Sequence, residues 1–181
     1  MLRVIGGIYK SRRIKEVKSE KTRPTTDKNK ESLFNSIGQF FDGGTMLDLF
    51  AGSGAIGIEA ISRGFDSVDF VELQPQAIKV IKDNTTILGI KNCNIYKNDV
   101  FSFLKSTDNK YDFIFADPPY NLNKYNEILD IISTRHLLMD NGIIVLESDK
   151  STEFPSNIGD LFKYKEKILG ITKFSFYSKG E

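Results

Sequence analysis

Asp48-Leu49-Phe50-Ala51-Gly52-Ser53-Gly54-Ala55-Ile56-Gly57 decides how the rest of this 181-residue chain is read. The apolar run Met46–Phe50 is strand-like and Ala55–Arg63 has helical spacing, so the glycines occupy a strand-to-helix turn. In that context Gly52-x-Gly54-x-x-Gly57 matches the dinucleotide fingerprint, whose glycines allow a tight turn and a close approach of backbone to ligand. Glu72 lies 20 residues beyond Gly52 and closes the next strand-like run, Ser67–Glu72. A carboxylate there can accept hydrogen bonds from ribose hydroxyls. Asp48 narrows the choice of ligand. A carboxylate just before the loop repels a pyrophosphate and suits an ammonium group, which favours S-adenosylmethionine over NAD. Asn98-Asp99-Val100 follows a third strand-like run, Asn94–Lys97, and offers a carboxylate to an adenine amino group. Asp99 is equally a good helix N-cap, and the two roles are compatible.

On either side of this unit, short apolar runs alternate with amphipathic ones. Pro75–Leu88 is helical with Pro75 in its first turn, Phe101–Lys105 is a brief helix, and Tyr111–Ala116 is a buried strand. Tyr125–Leu138 reads as a helix and Gly142–Glu147 as a strand. Lys163–Ile168 and Thr172–Tyr177 form a closing antiparallel pair about Gly170. The alternation calls for an α/β fold, a mostly parallel sheet with helices on both faces. Ligands then sit beyond the C-terminal ends of the strands, where the loops after Phe50, Glu72, Lys97 and Ala116 should converge. Upstream, Leu2–Ile5, Gly6-Gly7 and Ile8–Lys10 read as a hairpin, and residues 16–24 as a polar loop. Thr25, Thr26 and Asp27 are N-cap types for a helix through Leu33, Phe34, Ile37, Phe40 and Phe41, stopped by Gly43-Gly44.

The sharpest chemical signal is Asp117-Pro118-Pro119-Tyr120, directly after the strand Tyr111–Ala116. Two prolines fix φ near −65° and remove two N–H donors, and the first holds Asp117 extended. The turn is rigid and rich in acceptors. Transfer to an exocyclic base amine needs such a turn, because the nitrogen lone pair is delocalised into the ring. Asp117 and the Pro118 carbonyl can each accept one N–H and direct the lone pair toward a donor methyl. Tyr120 can stack on the extruded base.

Composition excludes other chemistries. One cysteine, Cys93, and one histidine, His136, leave no disulfide, no CxxC motif, no His/Cys metal site and no Cys–His mechanism. Cys93 is expected to be a small buried hydrophobe and His136 a helix-end residue. No apolar run approaches the roughly 20 residues that span a bilayer, and the first residues lack a secretory signal, so a soluble cytoplasmic protein is expected. The net charge of +1 conceals an asymmetry. Residues 1–30 carry ten basic and three acidic side chains, a balance of +7, and the remainder 15 basic and 21 acidic, a balance of −6. That asymmetry points to a polyanionic partner, with Lys10, Arg12, Arg13, Lys15 and Lys18 as phosphate contacts.

These motifs, with Arg3-Val-Ile-Gly-Gly, Arg23-Pro-Thr-Thr-Asp and Leu33-Phe-Asn35, resemble the RsmD-like bacterial 16S rRNA guanine-N2 methyltransferases, a family of class I S-adenosylmethionine-dependent amino-methyltransferases. The resemblance spans nearly the whole chain. It implies a Rossmann-like, mostly parallel seven-strand sheet with an N-terminal β-hairpin extension. Residues 1–24 would be the basic RNA-contacting extension and 25–181 the methyltransferase domain. Methylation of one guanine in small-subunit rRNA is implied. Asp48, Gly52 and Gly54 would hold the methionine end of the cofactor, Glu72 the ribose, and Asp99 with the Val100 backbone the adenine, with Phe50 a further cofactor contact. Arg23, Thr25, Thr26 and Asn35 would cover the cofactor, and Asp117, Pro118 and Tyr120 would form the transfer site. Leu73-Gln74-Pro75 and Leu169-Gly170 depart from the family pattern.

A monomer without metal or membrane partner is expected, acting on an assembled or assembling ribosomal subunit, because so small a chain has little surface for reading sequence. Two alternatives remain open. Asp-Pro-Pro-Tyr chemistry also serves DNA adenine-N6 and cytosine-N4 methyltransferases, although no separate target-recognition domain is evident. The glycine loop also suits an NAD-binding oxidoreductase or sensor, against which Asp48 and the Pro-Pro turn speak.

Overall fold

In a computed structural model, which describes residues 2–17, 25–119 and 121–180, the chain opens with a small antiparallel ladder of β1 (Leu2–Arg3) and β2 (Arg13–Ile14). The second arm is thus Arg13–Ile14, and the expected arm Ile8–Lys10 lies in the connection. The glycines explain why. A Cβ on Gly7 would come 1.7 Å from the Ser62 carbonyl oxygen, and the Ile8 N–H donates to that oxygen at 2.8 Å. Gly6-Gly7 therefore lets the chain lie against another element instead of turning it.

Helix α1 (Asp27–Ile37) is capped by the Thr26 hydroxyl, which accepts from the Asn29 N–H. It ends at Gly38, φ +137°, one turn earlier than the apolar spacing predicts, and Phe40 is consequently exposed. Next come β3 (Thr45–Leu49), α2 (Ala55–Ser62), β4 (Ser67–Glu72), α3 (Pro75–Leu88), β5 (Cys93–Lys97), α4 (Val100–Ser106) and β6 (Tyr111–Ala116). Helix α5 (Tyr125–Thr134) stops short of the expected Leu138 because His136 adopts φ +52°, and Leu138 instead opens the long strand β7 (Leu138–Asp149). The chain closes with β8 (Asn157–Ile158), β9 (Leu161–Leu169) and β10 (Thr172–Lys179).

The main sheet runs β5-β4-β3-β6-β7-β10-β9-β8, parallel from β5 to β7 and antiparallel beyond. It is the expected Rossmann-like sheet of seven strands with the two-residue β8 added at one edge. Side chains alternate between faces. Met46, Phe70, Phe113, Phe115 and Phe174 pack beneath the hairpin and helices α1 to α3. Leu47, Val71, Ile114 and Leu146 pack beneath α4 and α5. Leu2, Val4 and Ile14 of the hairpin are buried in the first of these cores.

Buried charges secure the hairpin. Glu59 of α2, wholly buried, accepts from the backbone N–H groups of Ile5 (3.0 Å) and Gly6 (2.8 Å) and from the Arg63 guanidinium (2.8 Å). Lys30 is also wholly buried, donating to the Arg3 carbonyl and to Glu59 at 3.5 Å. Lys30, counted with the basic segment in the sequence, is therefore structural, and Arg3 pairs with Asp27 at 2.6 Å. No helix of the described residues is long and apolar enough to cross a membrane.

Candidate active site

Alternation places one acidic residue at or near the C-terminal end of each of four neighbouring strands on the same face. Asp48 of β3 shares the face of Met46, Glu72 of β4 that of Phe70, and Glu147 of β7 that of Val145. Asp117 follows β6 with the same parity as Phe115. Register sets their order: Leu49 pairs with Val71, Asp48 with Phe115, and Ala116 with Leu146, which puts Asp117 level with Glu147. Glu72, Asp117 and Glu147 thus form a row at one level across the C-terminal edge of the sheet, and Asp48, paired with Phe70 and Phe115, sits between Glu72 and Asp117 two residues lower, about 7 Å deeper along its strand.

The glycine loop bends over this row. Phe50 (φ +56°), Gly52 (φ +57°) and Gly54 (φ +76°) all have left-handed backbones. Such strain at a non-glycine residue like Phe50 persists only where its surroundings hold it. A Cβ on Gly52 would meet nothing closer than 4.0 Å, so the loop's outer side is open to a ligand. Gly57 is needed for packing, since its Cβ would lie 2.3 Å from the Phe70 ring. Asp48 accepts from the Gly57 N–H at 3.0 Å. Glu72 accepts from the N–H groups of Gly52 (2.9 Å), Leu73 (2.8 Å) and Gln74 (2.9 Å), tying the loop to the start of α3.

The row is electrostatically costly. Burial holds the Asp48 carboxyl well above the usual carboxylate range, with a smaller push from Glu72. Burial likewise raises Asp117 well above that range, reinforced by Glu147 and then Asp48. Glu147, 6% exposed, is pushed up to about 7 by burial, against the opposing effect of the Thr25 hydroxyl, which donates to it at 3.2 Å. Among the described residues, no side chain or N–H donates to Asp117. Buried acids in this arrangement suit a cationic ligand. Among the described residues no three His, Cys, Asp or Glu side chains are grouped to hold a metal ion.

Several expected site residues meet in this crevice: Asp48, Phe50, Gly52, Gly54, Glu72, Asp117 and buried Pro118. Asp99 caps α4, accepting from the Ser102 N–H at 2.9 Å, and Val100 is the first residue of that helix. Thr25 reaches Glu147, whereas the Thr26 hydroxyl is used as the cap of α1. Asn35 is not brought to the site. It is exposed near the far end of α1, about 12 Å along the axis from Asp27, and Ile37, two residues on, lies with Gly43 and Gly44 at the opposite end of the sheet. Tyr120, Arg23 and Lys18 lie outside the described residues. Lys10, Arg12, Arg13 and Lys15 are exposed, and Lys15 pairs with Asp83 at 2.8 Å.

Sequence reasoning missed two residues. Glu147 follows the last residue of β7 paired in parallel with β6, and its acidic signal was present at the end of the run Gly142–Glu147. Asn84, wholly buried on α3, donates to the Ser53 carbonyl of the glycine loop at 3.0 Å and carried no local signal.

The family model described as conserved hypothetical protein 95 matches residues 2–178. YlbH of Bacillus subtilis, named provisionally as an rRNA methyltransferase, is 43% identical over 98% of this chain and 99% of its own. Ribosomal RNA small subunit methyltransferase D of Haemophilus influenzae is 32% identical over 97% of this chain and 93% of its own. The solved structure of a provisionally assigned Escherichia coli methyltransferase, yhhF, superimposes with a TM-score of 0.85 at 28% identity, covering 98% of this chain and 97% of that one.

Proposed function

The chain belongs to the RsmD-like methyltransferases, the family described as conserved hypothetical protein 95, and on that premise we propose that it transfers a methyl group from S-adenosylmethionine to the exocyclic N2 amine of one guanine in small-subunit rRNA. The observation that carries this reading is the row Glu72–Asp48–Asp117–Glu147 under an open glycine loop. Its carboxylates, of which Asp48, Glu72 and Glu147 are buried, fit a ligand that brings positive charge, and Asp48 beneath the loop disfavours the pyrophosphate of NAD.

Asp48, with Phe50, Gly52 and Gly54, would face the methionine end, Glu72 the ribose, and Asp99 with the Val100 N–H the adenine. When bound, the cofactor supplies an electrophilic methyl on a sulfonium sulfur, which keeps the electron pair of the broken C–S bond. Asp117 and the Pro118 carbonyl accept the two amine N–H groups and aim the nitrogen lone pair at that methyl. Both acceptors are fixed, so they favour the positive charge that develops on nitrogen without reorganising. The Asp117 carboxylate then takes the proton that nitrogen must lose and passes it to solvent. Tyr120 would stack on the base. Exposed Lys10, Arg12 and Arg13, together with Lys15 and Lys18, would contact phosphates and position the RNA. The extension 1–24 is the RNA-contacting part of this reading and 25–181 the catalytic part, acting as a cytoplasmic monomer on an assembled or assembling subunit.

The test offers unmodified small subunits, deproteinised 16S rRNA and duplex DNA side by side, with radiolabelled cofactor and Asp117→Ala as the blank. N2-methylguanosine from the subunits is the expected product. Label confined to DNA, or no label together with failure to bind S-adenosylhomocysteine, overturns the reading.

A further inference from the structure

The row of carboxylates is one residue longer than the transfer reaction needs. Read across the sheet, Glu72, Asp48 and Asp117 correspond to ribose, methionine ammonium and target amine, leaving Glu147 on the substrate side of Asp117. It is buried and level with Asp117, and its one described hydrogen-bond donor is the Thr25 hydroxyl. Its in-register neighbour across β10 is Phe174, which offers no charge to balance it. A second carboxylate at that place is left for the base itself.

The Watson–Crick edges of the three candidate bases differ where Glu147 would meet them. Beside its exocyclic amine, guanine carries the N1–H donor. Adenine carries the N1 lone pair there and cytosine the N3 lone pair, both acceptors. A carboxylate attracts the first and repels the other two. We propose that Glu147 is the specificity-determining residue for guanine, accepting the N1–H while Asp117 accepts an N2–H of the same base. Thr25 positions Glu147 by donating to its Oε2, leaving Oε1 for the base. Asp-Pro-Pro-Tyr by itself suits any exocyclic amine, and the neighbouring strand supplies the choice among them.

This inference rests on the methyl-transfer reading above, and its test separates the two. Once the modified nucleotide is mapped, two-piece ligated 16S rRNA carrying guanosine or 2-aminopurine riboside at that position is assembled into small subunits. 2-Aminopurine keeps the N2 amine and replaces N1–H by a lone pair. Wild-type enzyme should prefer guanine by roughly 10- to 100-fold in kcat/KM. Glu147→Gln, whose amide can turn a donor toward N1, should lose guanine transfer by a similar factor and narrow or invert the preference. It should still bind S-adenosylhomocysteine as wild type does. Glu147→Ala, which removes the acceptor without replacing it, should also narrow the preference and provides a second variant should the glutamine fold poorly. Equal use of both bases by the wild-type enzyme overturns the proposal, and so does a variant that loses both activities in equal proportion. Transfer to guanine by the wild type upholds the methyltransferase reading under either outcome.

Discussion

The side chain of Asn84 closes two hydrogen bonds with the backbone of Lys15, accepting from its N–H at 2.7 Å and donating to its carbonyl at 3.1 Å. The same amide donates to the Ser53 carbonyl at 3.0 Å. One buried side chain thus joins the basic N-terminal segment to the glycine loop, and both should feel its loss.

Asn84→Ala leaves partly buried backbone groups of Lys15 and Ser53 without partners, at a cost of up to about 1–3 kcal/mol for each group left unsatisfied. The expected result is a Tm lower by roughly 5–10 °C and weaker S-adenosylhomocysteine binding, although Asn84 is not assigned a cofactor contact. Calorimetry of unfolding and of binding checks both. An unchanged affinity would show that the loop holds its shape through Glu72 alone.

Removing charge from the carboxylate row should stabilise the protein while stopping its chemistry. Asp117→Asn relieves the mutual repulsion with Glu147 and Asp48. Each pKa unit relieved corresponds to about 1.4 kcal/mol, or roughly 3–6 °C in Tm for a chain of this size. Methyl transfer should fall by at least about 10³-fold with S-adenosylhomocysteine affinity near that of wild type. A Tm below that of wild type at pH 8 would contradict the electrostatic account.

The pH dependence follows from Glu147. Its folded value of about 7 exceeds its ordinary 4.5, so the folded state binds more protons than the unfolded state between those values. The stability it contributes is complete below pH 4.5 and lost as pH rises through 7. Among the described residues the facing groups are Asp117, also an acid, and the neutral Thr25 hydroxyl, and neither reverses the sign. The ligand-free Tm should fall by on the order of 5–10 °C from pH 5 to pH 8. The fall should be smaller with S-adenosylhomocysteine, whose ammonium would offset the repulsion at Asp48. Scanning calorimetry at several pH values measures both curves. Preference for guanine over 2-aminopurine should strengthen over the same range as Glu147 ionises.

Features set by local backbone demands were legible in the sequence. The glycine loop, the limits of β4 and α3, and the turn after Ala116 follow from positive-φ glycines, a first-turn proline and paired prolines, which act whatever lies nearby. Features set by distant partners were not. Gly6-Gly7 looks like a hairpin turn until Ser62 is placed against it, and Lys30 looks like a solvated cation until Glu59 is. The apolar periods of α1 and α5 run past their true ends because Phe41 and Leu138 are also core residues, reached by a different backbone. Glu147 stood in plain view at the end of the run Gly142–Glu147, but its meaning comes from Asp117 beside the neighbouring strand.

The buried Glu59 provides a further check on how the extension is held. Glu59→Ala would leave buried Arg63 without its anion, Lys30 with only the Asp27 carboxylate at 3.8 Å, and two N–H groups without an acceptor. Breaking one partner of a buried ion pair costs about 3–5 kcal/mol, so Tm should fall by roughly 6–20 °C. Glu59→Gln keeps an acceptor and should lose less. Equal losses from both variants, read by thermal unfolding, would mean that the charge contributes nothing beyond the hydrogen bonds.

If the extension guides RNA through phosphates, its charge should set the salt dependence of binding. Arg12 and Arg13 are exposed, and among the described residues neither is held in an ion pair, so reversing them removes phosphate contacts without disturbing the core. Each phosphate contact contributes about −0.9 to the slope of log K against log salt for duplex and about −0.7 for single strands. Arg12→Glu with Arg13→Glu should flatten that slope by roughly 1.4–1.8 and weaken binding of small subunits by more than tenfold at low salt. Filter binding across a salt series measures the slope directly. Lys15 makes a useful contrast, since its ammonium is already paired with Asp83 and Lys15→Ala should change the slope less. A slope unchanged by the double reversal would move the RNA to another face of the molecule while leaving the transfer site where it is.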